Sequence, residues 1–170
     1  MLYYIHNDIS RWSMKRKCIL LLFILIILSG CENTSKEETT KSEYIAMKNQ
    51  TFDDKNYNNE ALPVEIITTI DRIDDETINY KITITNPKEN MHNIKAIVVH
   101  NYYNEDTFPS IGVFDETKEL LIDDDKKNEL VLKNSINTTT NISKLNLELK
   151  MLIEYTNDNG ETKDIYYKAT

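Results

Sequence analysis

The stretch that decides the fold covers residues 145–160 and reads LNLELKMLIEYTNDNG. Apolar and polar residues alternate from Leu145 to Tyr155, and Leu152 is the one exception. Apolar residues at every second position share one face of a β-strand, whereas on a helix they would spread around the axis. Asn159-Gly160 is the dipeptide that hairpin turns favour, because both residues tolerate positive φ. The stretch therefore predicts a half-buried strand that returns through a hairpin over residues 162–168.

The same period of two recurs upstream. Residues 62–70 alternate, and residues 78–84 form a clean half-buried strand after an acidic turn. Residues 94–99 follow a turn signal at 86–90 and are apolar on both faces at their end, as suits a central strand. We expect 78–84 and 94–99 to form an antiparallel pair. Three further short strands are predicted, at 111–114, 119–122 and 129–136.

Seven or eight short strands without a convincing long helix favour an all-β fold. We predict an immunoglobulin-like antiparallel β-sandwich, although the chain lacks the Cys…Trp…Cys hallmark of that family. A small antiparallel β-barrel is the alternative.

A different pattern lies near the N-terminus. Met14 precedes the basic cluster Lys15-Arg16-Lys17, and the uncharged apolar residues 18–28 follow directly. As a helix this run would span about 16 Å, which is short against a hydrocarbon core of about 30 Å. It is also apolar on every face, unlike a surface helix that packs on a core. The run then ends in Leu28-Ser29-Gly30-Cys31.

Basic residues, a short apolar run and small residues before a cysteine together resemble a bacterial lipoprotein signal peptide with its lipobox. The resemblance covers residues 14–31, and each residue of Leu28-Ser29-Gly30-Cys31 matches the lipobox consensus. It implies that Cys31 receives a diacylglyceryl group, that the chain is cut before Cys31, and that further fatty acylation such as palmitate holds the protein on the membrane. Two or more acyl chains anchor a protein stably, whereas one does so only marginally.

These patterns divide the chain into four parts. Residues 1–13 are mixed in polarity, and we interpret them as an upstream mis-start before Met14. Residues 14–30 are the predicted signal peptide. Residues 31–60 are polar enough to predict a flexible tether, with a short helix or strand as an option near residues 44–47. Residues 61–170 are the predicted sandwich domain.

Charge and cysteine content exclude several classes of function. The leader carries four Lys or Arg and one acid, so the total charge of −8 leaves −11 for the remainder. This acidity argues against a nucleic-acid partner, because phosphate contacts need a basic patch. Of the two cysteines, Cys18 lies in the leader and Cys31 is the predicted lipid attachment site. A disulfide, a cysteine zinc site and a thiol nucleophile are therefore excluded for the mature domain.

Candidate chemistry in the domain is sparse. The acidic runs 74–76 and 123–125 offer oxygens to calcium, but neither has the spacing of a calcium loop. His92 and His100 stand eight residues apart without a matching third ligand. Ser110 lacks the G-x-S-x-G turn of a nucleophile elbow. We therefore predict no catalytic residue, no metal site and no cofactor.

Aromatic residues give the remaining candidates. Four aromatic residues stand in the middle of the domain, namely Tyr102, Tyr103, Phe108 and Phe114. Two interpretations are open for this group: a recognition patch or ordinary core packing. Tyr166 and Tyr167 point to opposite faces of their strand, so we expect one of them at an exposed edge.

The sequence thus predicts a lipoprotein on the extracytoplasmic face of the cell membrane, held by the lipid on Cys31. Its domain is expected to be a non-enzymatic binding module whose partner is another envelope protein or a glycan. The alternative is an envelope enzyme, either a hydrolase or a metal-dependent one, which would need a deep pocket holding acids with shifted pKa values.

Overall fold

A computed structural model describes residues 36–53, 57, 61–102, 107–122, 129–137 and 146–169. The described part of the chain contains one helix and eight strands, in the order α1 (Lys36–Phe52), β1 (Glu65–Arg72), β2 (Thr77–Thr85), β3 (Met91–His100), β4 (Ser110–Ile111), β5 (Lys118–Leu120), β6 (Leu130–Asn137), β7 (Leu149–Thr156) and β8 (Thr162–Ala169). Each of the predicted strands corresponds to one of these elements. No helix in these described ranges combines the length and the apolar character that crossing a membrane requires.

The strands form two antiparallel sheets. The first sheet has the order β1-β2-β6, and the second has the order β4-β3-β7-β8, with β5 also paired to β3. The first, second and sixth strands thus face the third, seventh and eighth, which is the distribution of an immunoglobulin-like sandwich. The predicted all-β sandwich is confirmed, and the described strands form open sheets rather than the alternative closed barrel.

The predicted pairing of β2 with β3 is wrong. The chain leaves the first sheet after β2 and enters the second sheet at β3, so the two strands lie in different layers. Asn86 makes this change of direction with φ of 48°, a left-handed conformation that asparagine tolerates better than most residues. The alternation in each strand fixes which face is buried, but it does not fix the partner across the sheet.

The main core lies between the two sheets. Ile82 and Ile84 of β2 face Met151 and Ile153 of β7, and all four are fully buried. The register places these residues on the inner faces, since Ile82 pairs with Leu132 and Met151 pairs with Val98. The alternation along residues 149–155 therefore has the predicted cause, which is burial of one face of β7.

A second apolar layer covers the outer face of the second sheet. Tyr44 and Met47 of α1 pack on Ile97, Val99 and Leu152. These contacts explain why Leu152 interrupts the alternation of β7, because its outward face lies under a helix. They also explain why β3 is apolar on both faces. Leu152 is thus a core residue of a second layer rather than an irregularity.

Part of the predicted tether of residues 31–60 is helical in the structure. Residues 36–52 form α1, and residues 37–170 constitute one compact unit. Glu37 and Glu38 lie in the first turn of α1, where carboxylates favour the positive end of the helix dipole. The compact unit therefore includes α1 from residue 37 onward. Residues 1–35 lie outside the described residues, as do the predicted mis-start, the signal peptide and Cys31.

Two turns differ in detail from expectation. β4 stops at Ile111 instead of reaching residue 114, because Gly112 has φ of 71° and donates its N–H to the Asp115 carboxylate at 2.7 Å. A Cβ atom on Gly112 would lie 2.3 Å from the carbonyl oxygen of Ile94, so glycine is required there. The β7–β8 hairpin is present as predicted, but only Gly160 of the Asn-Gly pair has a positive φ.

Candidate functional site

A cleft of about 510 Å³ lies on the side of the sandwich where β1 and β8 end their sheets. Its walls come from three separate stretches of the chain: residues 61–66, the turn between β2 and β3, and β8. The lining residues are Ala61, Leu62, Val64, Glu65, Ile66, Asn86, Lys88 and Tyr167. The volume falls within the roughly 300 to 1,000 Å³ that is usual for sites that bind small ligands.

Hydrogen bonds fix one wall of the cleft. The backbone N–H of Lys88 donates to the Pro63 carbonyl at 2.7 Å, and the Lys88 ammonium donates to the Leu62 carbonyl at 2.8 Å. The Asn86 side-chain amide donates to the Glu65 carboxylate at 2.5 Å. The turn between β2 and β3 is thereby joined to the start of β1 by three bonds. The lining is held in position before any ligand arrives.

The opposite wall is aromatic. Tyr167 is half-buried, packs against the main core, and places its hydroxyl 3.4 Å from the hydroxyl of Thr68 on β1. Tyr166 faces the other way and packs against the layer formed by α1. The prediction that the two tyrosines occupy opposite faces is confirmed. Both are half-buried, so the expectation that one of them is exposed is wrong.

The cleft combines apolar, aromatic, anionic, amide and cationic groups within a small volume. Leu62, Val64 and Ile66 offer apolar surface, while Glu65 and Lys88 offer a hydrogen-bond acceptor and a donor of opposite charge. Such a set suits a ligand that has both an apolar face and several hydroxyl or amide groups. The arrangement can orient and hold such a ligand.

His92 lies elsewhere, at the start of β3. Its Nδ1 is 3.2 Å from the Glu119 carboxylate and its Nε2 is 2.9 Å from the Asp158 carboxylate. These hydrogen bonds, with Asp158 contributing most and Glu119 next, raise the pKa of His92 above its ordinary value. The ring therefore joins β3 to β5 and to the β7–β8 turn, and both of its nitrogens already have carboxylate partners.

His100 ends the same strand and is buried. Its ring contacts the Phe108 ring at a centroid distance of 5.0 Å and the Tyr80 ring at 5.9 Å, while Nδ1 accepts the Tyr102 backbone N–H at 3.2 Å. β3 holds the two histidines at its opposite ends. Within the described ranges, no three His, Cys, Asp or Glu side chains form a group that could hold a metal ion.

The acidic run at 74–76 forms the turn between β1 and β2. Asp74 accepts the backbone N–H of Glu76 at 2.9 Å, and this bond is the main reason that the pKa of Asp74 is lowered. Arg72 pairs with the Asp75 carboxylate. The turn is thus a hydrogen-bonded, solvent-exposed loop. The other acidic run, at 123–125, lies outside the described residues.

The predicted aromatic group is divided by the fold. Phe108 is buried, and its backbone N–H donates to the Tyr44 hydroxyl at 2.6 Å. Tyr102 packs against the main core, and Tyr103 lies outside the described residues. Phe114 is exposed and its ring lies 5.0 Å from that of Tyr44. The packing interpretation therefore holds for Phe108 and Tyr102.

Sequence reasoning missed the cleft. The sequence marks residues 86–90 only as a turn and residues 62–70 only as an alternating strand. The signal that was available is the Asn86-Pro87 turn after a half-buried strand, since a turn that changes sheets must cross one open side of a sandwich.

Comparisons with known proteins do not assign this chain to a family. No family model matches it, and no curated protein matches it. Among solved structures, the sporulation control protein Spo0M from Bacillus subtilis aligns with a TM-score of 0.25 and 11% sequence identity. The alignment covers 63% of this chain and 48% of that chain, so it spans about half the length of Spo0M. At that TM-score the likeness is too loose to transfer any property.

Proposed function

We propose that this chain is a lipid-anchored lipoprotein of the cell envelope whose sandwich domain acts as a non-enzymatic binding module. The cleft beside β1 and β8 is the observation that supports the binding function. It is concave and carries side chains of both charges, and hydrogen bonds among its own residues fix its shape. A preformed site of this kind loses little entropy when a ligand binds.

The expected ligand is a glycan or an extended part of another envelope protein. Tyr167 contributes an aromatic ring and a hydroxyl, which suits the apolar face and the hydroxyl groups of a sugar as well as a peptide. Lys88 and Glu65 lie on the opposite wall and supply a charged donor and a charged acceptor. Both charges contribute to orientation, because a ligand must match them in the correct sequence along the cleft.

A pull-down from detergent-solubilised membranes tests the cleft. We expect Lys88→Glu to reverse the charge of one wall and to reduce recovery of the bound partner by roughly tenfold or more. Lys133→Glu is the matched control, because it makes the same charge change on an exposed residue of β6. Thermal melts of both variants establish that each one is folded. Equal recovery by both variants would reject the cleft as the binding site.

The lipid anchor rests on the lipobox pattern and needs its own test. We expect Cys31→Ala to abolish fatty-acid labelling and to release the protein from membranes into the soluble fraction. Cys18→Ala is the control. Cys18 is the only other cysteine and lies within the predicted leader, so its replacement should change neither result. Labelling that persists in Cys31→Ala would reject Cys31 as the attachment site.

A further inference from the structure

The sandwich has strand edges that must be kept from pairing with other chains. β1 and β6 end the first sheet, while β8 ends the second sheet on one side and the short strands β4 and β5 end it on the other. An edge strand presents backbone N–H and C=O groups that can pair with a further strand. Proteins commonly protect such edges with short strands or with charged side chains, lysine above all.

Most of these edges carry such protection. β4 has two residues and β5 has three, which is too short to template a strand. β6 has Lys133 at its centre. β8 carries Lys163, Asp164 and Lys168, and no more than three consecutive residues of it lack a charge.

β1 differs from the other described edges. Its central residues 66–70 read IITTI and contain no charge. This part spans about 17 Å at ~3.4 Å per residue. Ile67 is 44% exposed and Ile70 is 47% exposed, on opposite faces of the strand. The longest uncharged edge of the described sheets is therefore also the one that presents large apolar side chains to solvent.

Charges lie at both ends of β1 and are mainly acidic. Glu65 precedes the uncharged centre and Asp71 follows it. Beyond them lie Asp74 and Asp75, and the only cation nearby on the strand, Arg72, pairs with Asp75. A strand added to this edge would place its own ends beside these carboxylates. An incoming segment with basic residues on both sides of an apolar centre is therefore complementary in charge.

The same charges disfavour one way of pairing β1 with a second copy of itself. Two antiparallel β1 strands related by a two-fold axis at Thr68 would pair Ile66 with Ile70, which is favourable. The same register places Glu65 directly opposite Asp71 on one face, and it does so twice. Like charges directly opposite each other across two strands are destabilising.

We propose that the open edge of β1 receives an extended segment of another polypeptide, in which alternating apolar residues are flanked by lysine or arginine. The added strand would extend the first sheet by backbone hydrogen bonds, and its apolar side chains would cover Ile67 or Ile70. This mode of recognition takes affinity from the main chain and selectivity from alternate side chains. The edge adjoins the cleft and shares Glu65 and Ile66 with it, but Ile67 and Ile70 lie outside the cleft lining.

A synthetic peptide provides the probe. It alternates valine and threonine between paired lysines and is amidated, and a second version has glutamates in place of the lysines. Each is added to the full chain in detergent micelles, and amide hydrogen exchange is measured. We expect the lysine version to protect amides of residues 66–70 and not those of β6 or β8. Added salt should weaken its binding, because the flanking charge pairs are exposed.

A matched pair of variants tests the location. Ile67 and Val131 lie on either side of Thr83 in one row of the first sheet and are 44% and 38% exposed. Ile67→Lys places a charge in the centre of the β1 edge, and we expect binding of the lysine peptide to weaken roughly tenfold. Val131→Lys adds the same charge to β6 and should leave the affinity unchanged.

Three outcomes would overturn the proposal. These are equal affinity of both variants, equal binding of the glutamate peptide, and protection of β6 or β8 instead of β1. A concentration-dependent dimer that protects residues 66–70 without peptide would replace the proposed partner by a second copy. Failure of this experiment leaves the cleft untouched, since Lys88→Glu and not Ile67→Lys reports on that site.

Discussion

The outer face of the second sheet is covered by a helix, whereas the outer face of the first sheet is exposed to solvent. The outer face of the second sheet carries Ile97, Val99 and Leu152, all of which are buried beneath α1. The outer face of the first sheet carries Ile67 and Val131, and both are exposed. The sequence distinguishes the covered face from the exposed one. β2 alternates between apolar and polar residues, whereas β3 is apolar on both faces. A break in the alternation of a strand therefore marks a second covered face.

Lys81 and Lys133 sharpen the contrast. They pair across β2 and β6 on the outer face of the first sheet, where both ammonium groups can stay in water. Lys150, on the outer face of the second sheet, is buried, and this burial lowers the pKa of its ammonium group, with a further contribution from the charge of Lys168. The same residue type thus meets two environments on equivalent faces of the sandwich, and the Lys150 ammonium lies 5.2 Å from the centroid of the Tyr57 ring.

The largest expected difference comes from truncating an apolar residue on each face. Leu152→Ala should lower the free energy of unfolding by about 2–5 kcal/mol, because it leaves a cavity between β7 and α1. Ile67→Ala should cost ~1 kcal/mol or less, since solvent already reaches that side chain. Urea denaturation of both variants measures the difference. Similar losses would mean that the outer face of the first sheet is also covered.

A smaller effect is expected within α1. Met47 is 4% exposed, and Met47→Ala should cost about 2 kcal/mol, near the lower end for such truncations, because the helix can shift to close the cavity. Ile45→Ala is the matched control on the solvent side of the same helix. Its cost should be near zero, since alanine also favours the helix. A thermal melt in which both variants behave alike would show that α1 does not pack as described.

The smallest expected effect concerns His92, which connects elements at the edge of the covered sheet. Its pKa is raised in the folded chain, so the folded state binds this proton more tightly than the unfolded state does. The resulting stabilisation is fully present below pH 6.5, the ordinary pKa, and is lost as the pH rises through the raised value.

His92→Gln should therefore be less stable than the parent chain below pH 6.5, and the two should converge at higher pH. Unfolding of both at several pH values measures this, and a ring-proton titration by NMR gives the pKa directly. Asp158→Asn serves as the second variant, because it should lower the pKa of His92 without removing the ring. A gap between parent and variant that does not change with pH would assign His92 a packing role alone.

Much of the fold was predictable because alternation is a local signal. The strand at 78–84 and the hairpin after Tyr155 both follow from residues that are neighbours in sequence. The sequence allowed only a short helix or strand near residues 44–47, and not the whole of α1, because the buried residues Tyr44, Met47 and Thr51 are sparse and stand among polar residues. Their spacing of three and four residues was the available signal. The helix itself is stabilised mostly by contacts with β3 and β7, which lie far along the chain.

The cleft was not predictable for a related reason. Leu62, Asn86 and Tyr167 come together only once the chain has crossed from one sheet to the other and returned at β8. No periodicity or spacing in the sequence indicates that these three residues are neighbours in the fold. The open edge of β1 is an intermediate case, because the run IITTI is visible in the sequence while its position at an edge is not.

The strand order also has a consequence for the time at which this domain can fold. β1 with β2 and β7 with β8 are hairpins of neighbouring residues, but β2 must pair with β6, and Thr77 and Asn137 are 60 residues apart. β3 must likewise wait for β7. Domains dominated by such distant pairs fold in milliseconds to seconds, more slowly than helical ones. During synthesis, β2 therefore lacks its neighbour β6, and β3 its neighbour β7, until residues 130–156 have been made.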